Sequence, residues 1–265
     1  MFKNFALIII LSYYTSIACY SQGRFAHEVA VVFGPAALQS DYSQKTTLSS
    51  NLDRLGFGIG ISHFLNFSSN RNPLRETTYF KEHFKLQTSL SYTQFKLKHD
   101  SNYIDQNPEA ENAKKLKAMY GSTRITNIGS QLVYQFKNIH DFENTINSFA
   151  PYVSLGFFIN KYNVATKSTL NILDLRRAVY YKYLSPSDGR ERGFTTENKI
   201  TTSTAASIGT RYKLAPLQDL VLDVRFQYFH SDWVDGLNPN KQLYPENSKN
   251  DWLMWFNVGY IYYLQ

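Results

Sequence analysis

The sequence predicts an all-β protein, a single closed, antiparallel up-and-down β-barrel of about eight strands. Two observations carry this. Large apolar residues recur at every second position in eight separate segments, and the connections between those segments alternate between longer and shorter. Period-two alternation marks strands with one apolar and one polar face. Alternating connections are what a ring of hairpins produces when its two ends are built differently.

The first segment, from about Phe25 to Ala36, sets Phe25, Val29, Val31 and Phe33 against Glu28, Ala30, Val32 and Gly34. The second is "LGFGIGISHFLNF", with Leu55, Phe57, Ile59, Ile61, His63, Leu65 and Phe67 on one face. Its Gly56, Gly58 and Gly60 fall two apart. That is strand spacing and not the G-x-G-x-x-G of a dinucleotide-binding turn. The third runs from Phe84 to about Leu97, with Phe84, Leu86, Leu90 and Tyr92 opposing Lys85, Gln87, Ser89 and Ser91. Its apolar parity then moves to Phe95 and Leu97, so a bulge is expected near Thr93.

The fourth segment opposes Ile128, Leu132, Tyr134 and Phe136 to Asn127, Gly129, Gln131 and Gln135. The fifth follows Pro151 and sets Val153, Leu155, Phe157 and Ile159 against Ser154, Gly156, Phe158 and Asn160. In the sixth, Ala206, Ile208, Tyr212 and Leu214 oppose Ser203, Ser207, Gly209 and Arg211. The seventh places Leu220, Leu222, Val224, Phe226 and Tyr228 opposite Val221, Asp223, Arg225 and Gln227. The eighth, "WLMWFNVGYIYYLQ", aligns Trp252, Met254, Phe256, Val258, Tyr260, Tyr262 and Leu264 without a polar break.

Connections after the odd segments run about 15, 25, 35 and 20 residues, and those after the even ones about 12, 12 and 5, the rhythm of long outer loops and short periplasmic turns. Within the second long connection, "NPEAENAKKLKAMYG" has Pro108 and acids first, lysines later and Gly121 at its end, which predicts a short helix. Aromatics reach 16%, with 20 Tyr and 19 Phe, an excess that suits interfacial girdles. Net charge is +7 with the basic residues dispersed, which argues against a nucleic-acid partner.

Residues 1–21 have the form of a secretory signal: Lys3, an apolar run from Phe5 to about Tyr14, then small residues, with cleavage expected after Ser21. Cleavage there would remove Cys19, the sole cysteine; lipidation of Cys19 is the alternative, although Ser16 stands where such signals prefer a branched apolar residue. The mature domain is then 22–265.

Segments of about ten residues cross a membrane when tilted, and closure satisfies the edges that lipid cannot. The apolar face is therefore expected to meet lipid, with Gly56, Gly58, Gly60, Gly129, Gly156, Gly209 and Gly259 turned inward to make room for Phe158, Phe229 or Trp255. The alternative is a soluble lipocalin-like binding barrel with its apolar face inward. The minor face argues against it, being mostly Gly, Ser, Thr, Asn and Gln instead of Lys, Glu and Asp.

"HEVAVVFGPAALQSDY", "GFGIGISHFLNF", "YFKEHFKLQTSLSY" and "DVRFQYFHSDWVDGLNP" carry a pattern-level resemblance to the small outer-membrane β-barrel proteins of the Bacteroidota, especially a flavobacterial group without a settled activity. The resemblance covers Arg24 to Gln265. It implies the outer membrane, with outer-membrane lipids including lipopolysaccharide as partners, and it admits a role as an accessory subunit of an envelope complex or a protein-secretion translocon. One departure is the end of the chain, where Leu264 and Gln265 stand in place of the terminal aromatic that assembly machinery commonly reads.

No catalytic residue, metal ligand or cofactor is expected. His230, Ser231 and Asp232 are adjacent on a strand end, so they point to alternating faces and cannot simply converge into a triad, as a lipid A-modifying barrel enzyme would require. His27 and His63 are expected as an interfacial pair near the periplasmic end, not a metal site. "SDWVDGLNPN" misses the calcium-loop ligand pattern, and Asp235 with Gly236 is expected to make a turn. Asp223 and Arg225 are expected as a lumen pair. A filled lumen argues against a channel. The expected function is a non-catalytic barrel acting through its long loops, with the third, carrying "AVYYKYL", as the contact surface.

Overall fold

The computed structural model describes residues 25–42, 55–67, 78–99, 102–170, 175–247 and 249–264. Eight antiparallel strands close into a barrel in chain order: β1 (Ala26–Gln39), β2 (Gly56–Asn66), β3 (Phe84–Lys98), β4 (Met119–Gln135), β5 (Phe149–Ser168), β6 (Lys199–Ala215), β7 (Gln218–Phe229) and β8 (Trp252–Leu264). The seam is β1 against β8, with His27 opposite Leu264 and Gln39 opposite Trp252. Short helices α1 (Tyr79–His83), α2 (Asn102–Gln106), α3 (Glu111–Ala118), α4 (Ile139–Asn144) and α5 (Leu175–Ala178) lie in the connections. No described helix is long and apolar enough to cross a membrane. The leader expected over 1–21, with Cys19, and the final Gln265 lie outside the described residues.

Apart from the upper part of β3, the strand faces expected from the alternation are in place, with the apolar face outward and the minor face inward. This overturns the lipocalin-like alternative. On β5 the outward positions Phe149, Val153, Leu155, Phe157 and Ile159 are exposed, and the first outward charge is Lys161. At about 3.4 Å per residue and a strand tilt of about 40°, the stretch from Phe149 to Ile159 makes an apolar belt roughly 26 Å tall. At the end of the barrel where β1 begins and β8 ends, an aromatic rim continues from ring to ring. Phe67 lies 6.1 Å from Phe25 and 5.3 Å from Phe80, Phe80 lies 4.7 Å from Phe84, and Tyr134 lies 5.1 Å from Phe84 and 5.2 Å from Phe136. Helix α1 supplies Phe80 to this rim, and its Tyr79 hydroxyl meets that of Tyr134 at 2.7 Å.

Three expectations are corrected. β3 has no bulge at Thr93, which pairs in unbroken register with Gly58 and Ile125. Phe95 and Leu97 keep the inward parity and are buried, because the strand has risen above the belt to where the lumen is packed under the loops. The helix expected to end at Gly121 ends at Ala118, and Gly121 lies in β4, where an added Cβ would meet the Tyr42 hydroxyl at 2.6 Å. The first even connection, 67–83, is also as long as the first odd one, 40–55, since it carries α1. The others keep the expected rhythm, down to the two-residue turn at 216–217.

Inward glycines leave space for large side chains as expected for two of the three named. A Cβ on Gly58 would lie 2.6 Å from the Trp255 indole, and one on Gly129 would lie 2.6 Å from the Phe158 ring. Phe229 is not received by a glycine; Gly56 faces Phe95 and Gly209 faces Tyr152 instead.

Candidate functional site

Among the described residues, buried side chains line the lumen along its length. At the end where β1 begins and β8 ends, six charged groups interlock. Glu28 accepts from Lys85 Nζ and Arg211 Nη2, both at 2.6 Å. Asp219 accepts from Arg211 Nε at 3.0 Å and from the Tyr263 hydroxyl at 2.8 Å, with Lys213 Nζ 3.1 Å away. Glu143 on α4 lies 3.6 Å from Lys85 and accepts from Asn66. Three cations thus meet three carboxylates in a space where an unpaired charge would be severely penalised. Helix α4 closes this mouth; Asn138 caps it by accepting from His140 N at 2.9 Å, and Ile139 and Phe142 are fully buried.

Mid-barrel, Gln227 Nε2 donates to Asn160 Oδ1 at 2.7 Å and Ser203 Oγ at 2.8 Å, while Gln131 Nε2 donates to Ser154 at 3.0 Å. Asp223 and Arg225 share the inward face as expected, but no hydrogen bond or ion pair joins them. Asp223 accepts from Tyr152 and Asn257, both at 3.0 Å, and the Arg225 guanidinium sits 5.0 Å from the Phe158 ring and 5.4 Å from that of Trp255. The two charges still act on each other electrostatically, as expected of a lumen pair, and two aromatic faces flank the guanidinium.

The opposite mouth is capped by residues 178–198 and 230–247, which pair with each other. Phe194 bridges to Leu237, Thr195 N donates to Gly236 O at 2.8 Å, and Asn238 N donates to Gly193 O at 2.8 Å. Trp233, Val234 and Leu237 pack into the core cluster with Tyr42, Met119, Tyr183 and Phe229. Asp235 and Gly236 form the expected turn. Gly236 has φ +90°, and Asp235 Oδ1 accepts from Leu237 N at 2.7 Å. Asp251 Oδ2 accepts from Val234 N at 3.1 Å and Asp235 N at 3.2 Å. Burial, with Asp41 close by, pushes the Asp235 carboxyl well above the usual range, and burial with Asp235 and Asp232 does the same to Asp251. The third connection is only partly the exposed contact surface expected: Tyr181 is exposed, but Val179 and Tyr183 are buried in the cap. A cavity of about 380 Å³ remains beside it, lined by Met119, Tyr120, Lys167, Leu170, Val179 and Phe194 among others.

His230, Ser231 and Asp232 do not converge. Both His230 nitrogens meet threonines, Thr202 at 2.9 Å and Thr204 at 3.2 Å, while Ser231 Oγ accepts from Trp233 N and Asp232 lies 3.4 Å from Lys241. His27 Nδ1 and His63 Nε2 are 3.0 Å apart with their rings stacked, the pair expected at the rim. Among the described residues no three His, Cys, Asp or Glu are grouped to hold a metal. The charged lumen cluster and the Trp255–Arg225–Phe158 stack went unread in the sequence. Their only trace there was a few charged or large residues at inward parity.

No protein-family model matches the sequence, and no curated protein matches it. Among solved structures, it is similar to a major outer membrane protein from Thermus thermophilus, with 10% identity and a TM-score of 0.46 over 90% of this chain and 100% of that one. It is also similar to Neisserial surface protein A, with 14% identity and a TM-score of 0.43 over 89% and 96% of the two chains. The outer membrane enzyme PagL is similar at 9% identity and a TM-score of 0.38, over 89% and 98%.

Proposed function

We propose that this protein is a non-catalytic outer-membrane barrel, acting through its long outer loops as a structural or accessory subunit of an envelope complex. The observation that carries the reading is the pairing of an apolar outward belt with a lumen closed at both mouths, by α4 at one end and by the paired residues 178–198 and 230–247 at the other. A belt roughly 26 Å tall suits the hydrocarbon thickness that membrane barrels span. A lumen packed with side chains gives solutes no path, and His230, Ser231 and Asp232 offer no nucleophile held by a base. What is left to act is the surface of the cap.

The test has two readouts. Envelope membranes are fractionated and the protein is run boiled and unboiled; the expected result is co-fractionation with the outer membrane and a band that shifts on boiling. Purified protein in a planar bilayer is expected to carry no steady current. Release as a soluble protein would overturn the membrane reading, and sustained conductance would replace the subunit reading with a channel.

A further inference from the structure

The outward wall of the barrel is uncharged except on one side. The outward faces of β1, β2, β6, β7 and β8 hold no Lys or Arg. On β3, β4 and β5, Lys96, Lys98, Arg124, Lys161 and Lys167 all point outward and are exposed, clustered at the capped end. The registers bring them together: Lys98 and Lys167 both pair with Tyr120, while Arg124 lies between Gln94 and Asn163, a diagonal step from Lys161. Such diagonal neighbours are about 7–8 Å apart, within reach of long side chains. No acidic residue occurs anywhere in these three strands. Among the described residues, none of the five cations forms an ion pair or a side-chain hydrogen bond.

Directly below them the wall is apolar, with Tyr92, Ile128 and Ile159 exposed. Cations that flank an apolar wall at its upper edge meet, in a bilayer, the level of the headgroups and not that of the acyl chains. We propose that the outward face of β3, β4 and β5 at the capped end binds the phosphorylated headgroup of an anionic glycolipid in the surrounding leaflet, a site that rests on the membrane reading above. Acyl chains lie along Leu90, Ile128 and Ile159, and the phosphates meet Lys96, Arg124 and Lys161. Lys98, Tyr120 and Lys167 continue the surface to the mouth of the 380 Å³ cavity. One strand face supplies both halves of an amphipathic ligand.

The test uses the full chain folded in detergent and titrated with fluorescent diphosphorylated lipid A. Removing a surface cation from such a site costs roughly fivefold in affinity. Replacing Lys96→Gln, Arg124→Gln and Lys161→Gln together is therefore expected to weaken binding by well over tenfold and to flatten its salt dependence. Replacing Lys81→Gln and Lys137→Gln at the other end is expected to leave binding unchanged. A triple Lys96→Gln, Arg124→Gln, Lys161→Gln protein that still shifts on boiling and binds within twofold of the parent overturns the site. Equal binding of dephosphorylated lipid A also overturns it, as does full displacement by millimolar inorganic phosphate, which would make the patch a free-anion site. Fractionation with the outer membrane is scored separately, so the lipid site can fail while the membrane reading stands.

Discussion

Replacing Gly58 with alanine tests the central packing of the barrel. The new Cβ would lie 2.6 Å from the Trp255 indole, about 0.8 Å short of the 3.4 Å at which ordinary contact begins. Trp255 has little room to retreat. It is buried, Gly60 lies under the far edge of its ring, Arg225 lies against its face, and its Nε1 donates to Gly34 O at 3.2 Å. Overpacking of this kind costs about 1–3 kcal/mol, and an indole pushed off its acceptor leaves a buried donor unpaired for about another 1 kcal/mol. Together the loss is roughly 2–4 kcal/mol, a factor of about 30 to 1,000 in the folding equilibrium. The assay is a urea titration of the barrel in lipid vesicles, followed by the boiling-dependent gel shift. Gly58→Ala should lower the midpoint, and Trp255→Phe in the same chain should restore much of it, because the smaller ring vacates the contact. An unchanged midpoint for Gly58→Ala, or a double variant no better than the single one, would show that the glycines do not seat the indole.

Glu28→Gln removes the carboxylate that Lys85 and Arg211 share, leaving buried cations in excess, and should cost about 3–5 kcal/mol in the same titration. Adding Lys85→Gln to it should recover part of that loss. The cap should depend on pH. The Asp235 and Asp251 carboxyls are raised above their unfolded range, so across that window the folded cap holds more protons than the opened one. Its stability is therefore full in acid and falls as pH rises toward those raised values. Limited proteolysis of 188–247 in the intact barrel should be slower at about pH 5 than at about pH 8. Asp251→Asn can keep both accepted N–H bonds on its amide oxygen while losing the charge, so it should slow nicking at the higher pH by about fivefold and flatten the profile.

The wall was legible in the sequence because a strand repeats every two residues, and each of the eight declares its faces locally. Phe95 and Leu97 show where that ends. Their parity was the same as that of Ser91, and only the level of β3 above the belt explains why an inward position turns from serine to phenylalanine. The charged cluster was hidden for a different reason: Glu28, Lys85, Arg211 and Asp219 sit on four strands, and spacing along a chain says nothing about register between strands. Arg225 was half legible: Asp223 two residues away acts on it electrostatically as the spacing suggested, while Phe158 and Trp255, which flank its guanidinium, come from β5 and β8 and leave no trace nearby in the chain. The cap has no period to read, so Val179, Tyr183, Val234 and Leu237 looked like loop residues until tertiary contacts buried them.

Closure of the ring depends on strands from the two extremes of the chain, and the ion cluster straddles that seam. Glu28 comes from β1, Tyr263 from β8, and Arg211 and Asp219 from the β6–β7 hairpin on the other side of β8. Arg211 and Asp219 pair within the hairpin, but the set of partners is complete only when the first and last strands have both arrived. A barrel that stalls one strand short leaves Arg211 without Glu28 or Asp219 without Tyr263, depending on which edge is missing. Incomplete rings are thereby left electrostatically frustrated, and the same residues that fill the lumen register whether the circle has been joined.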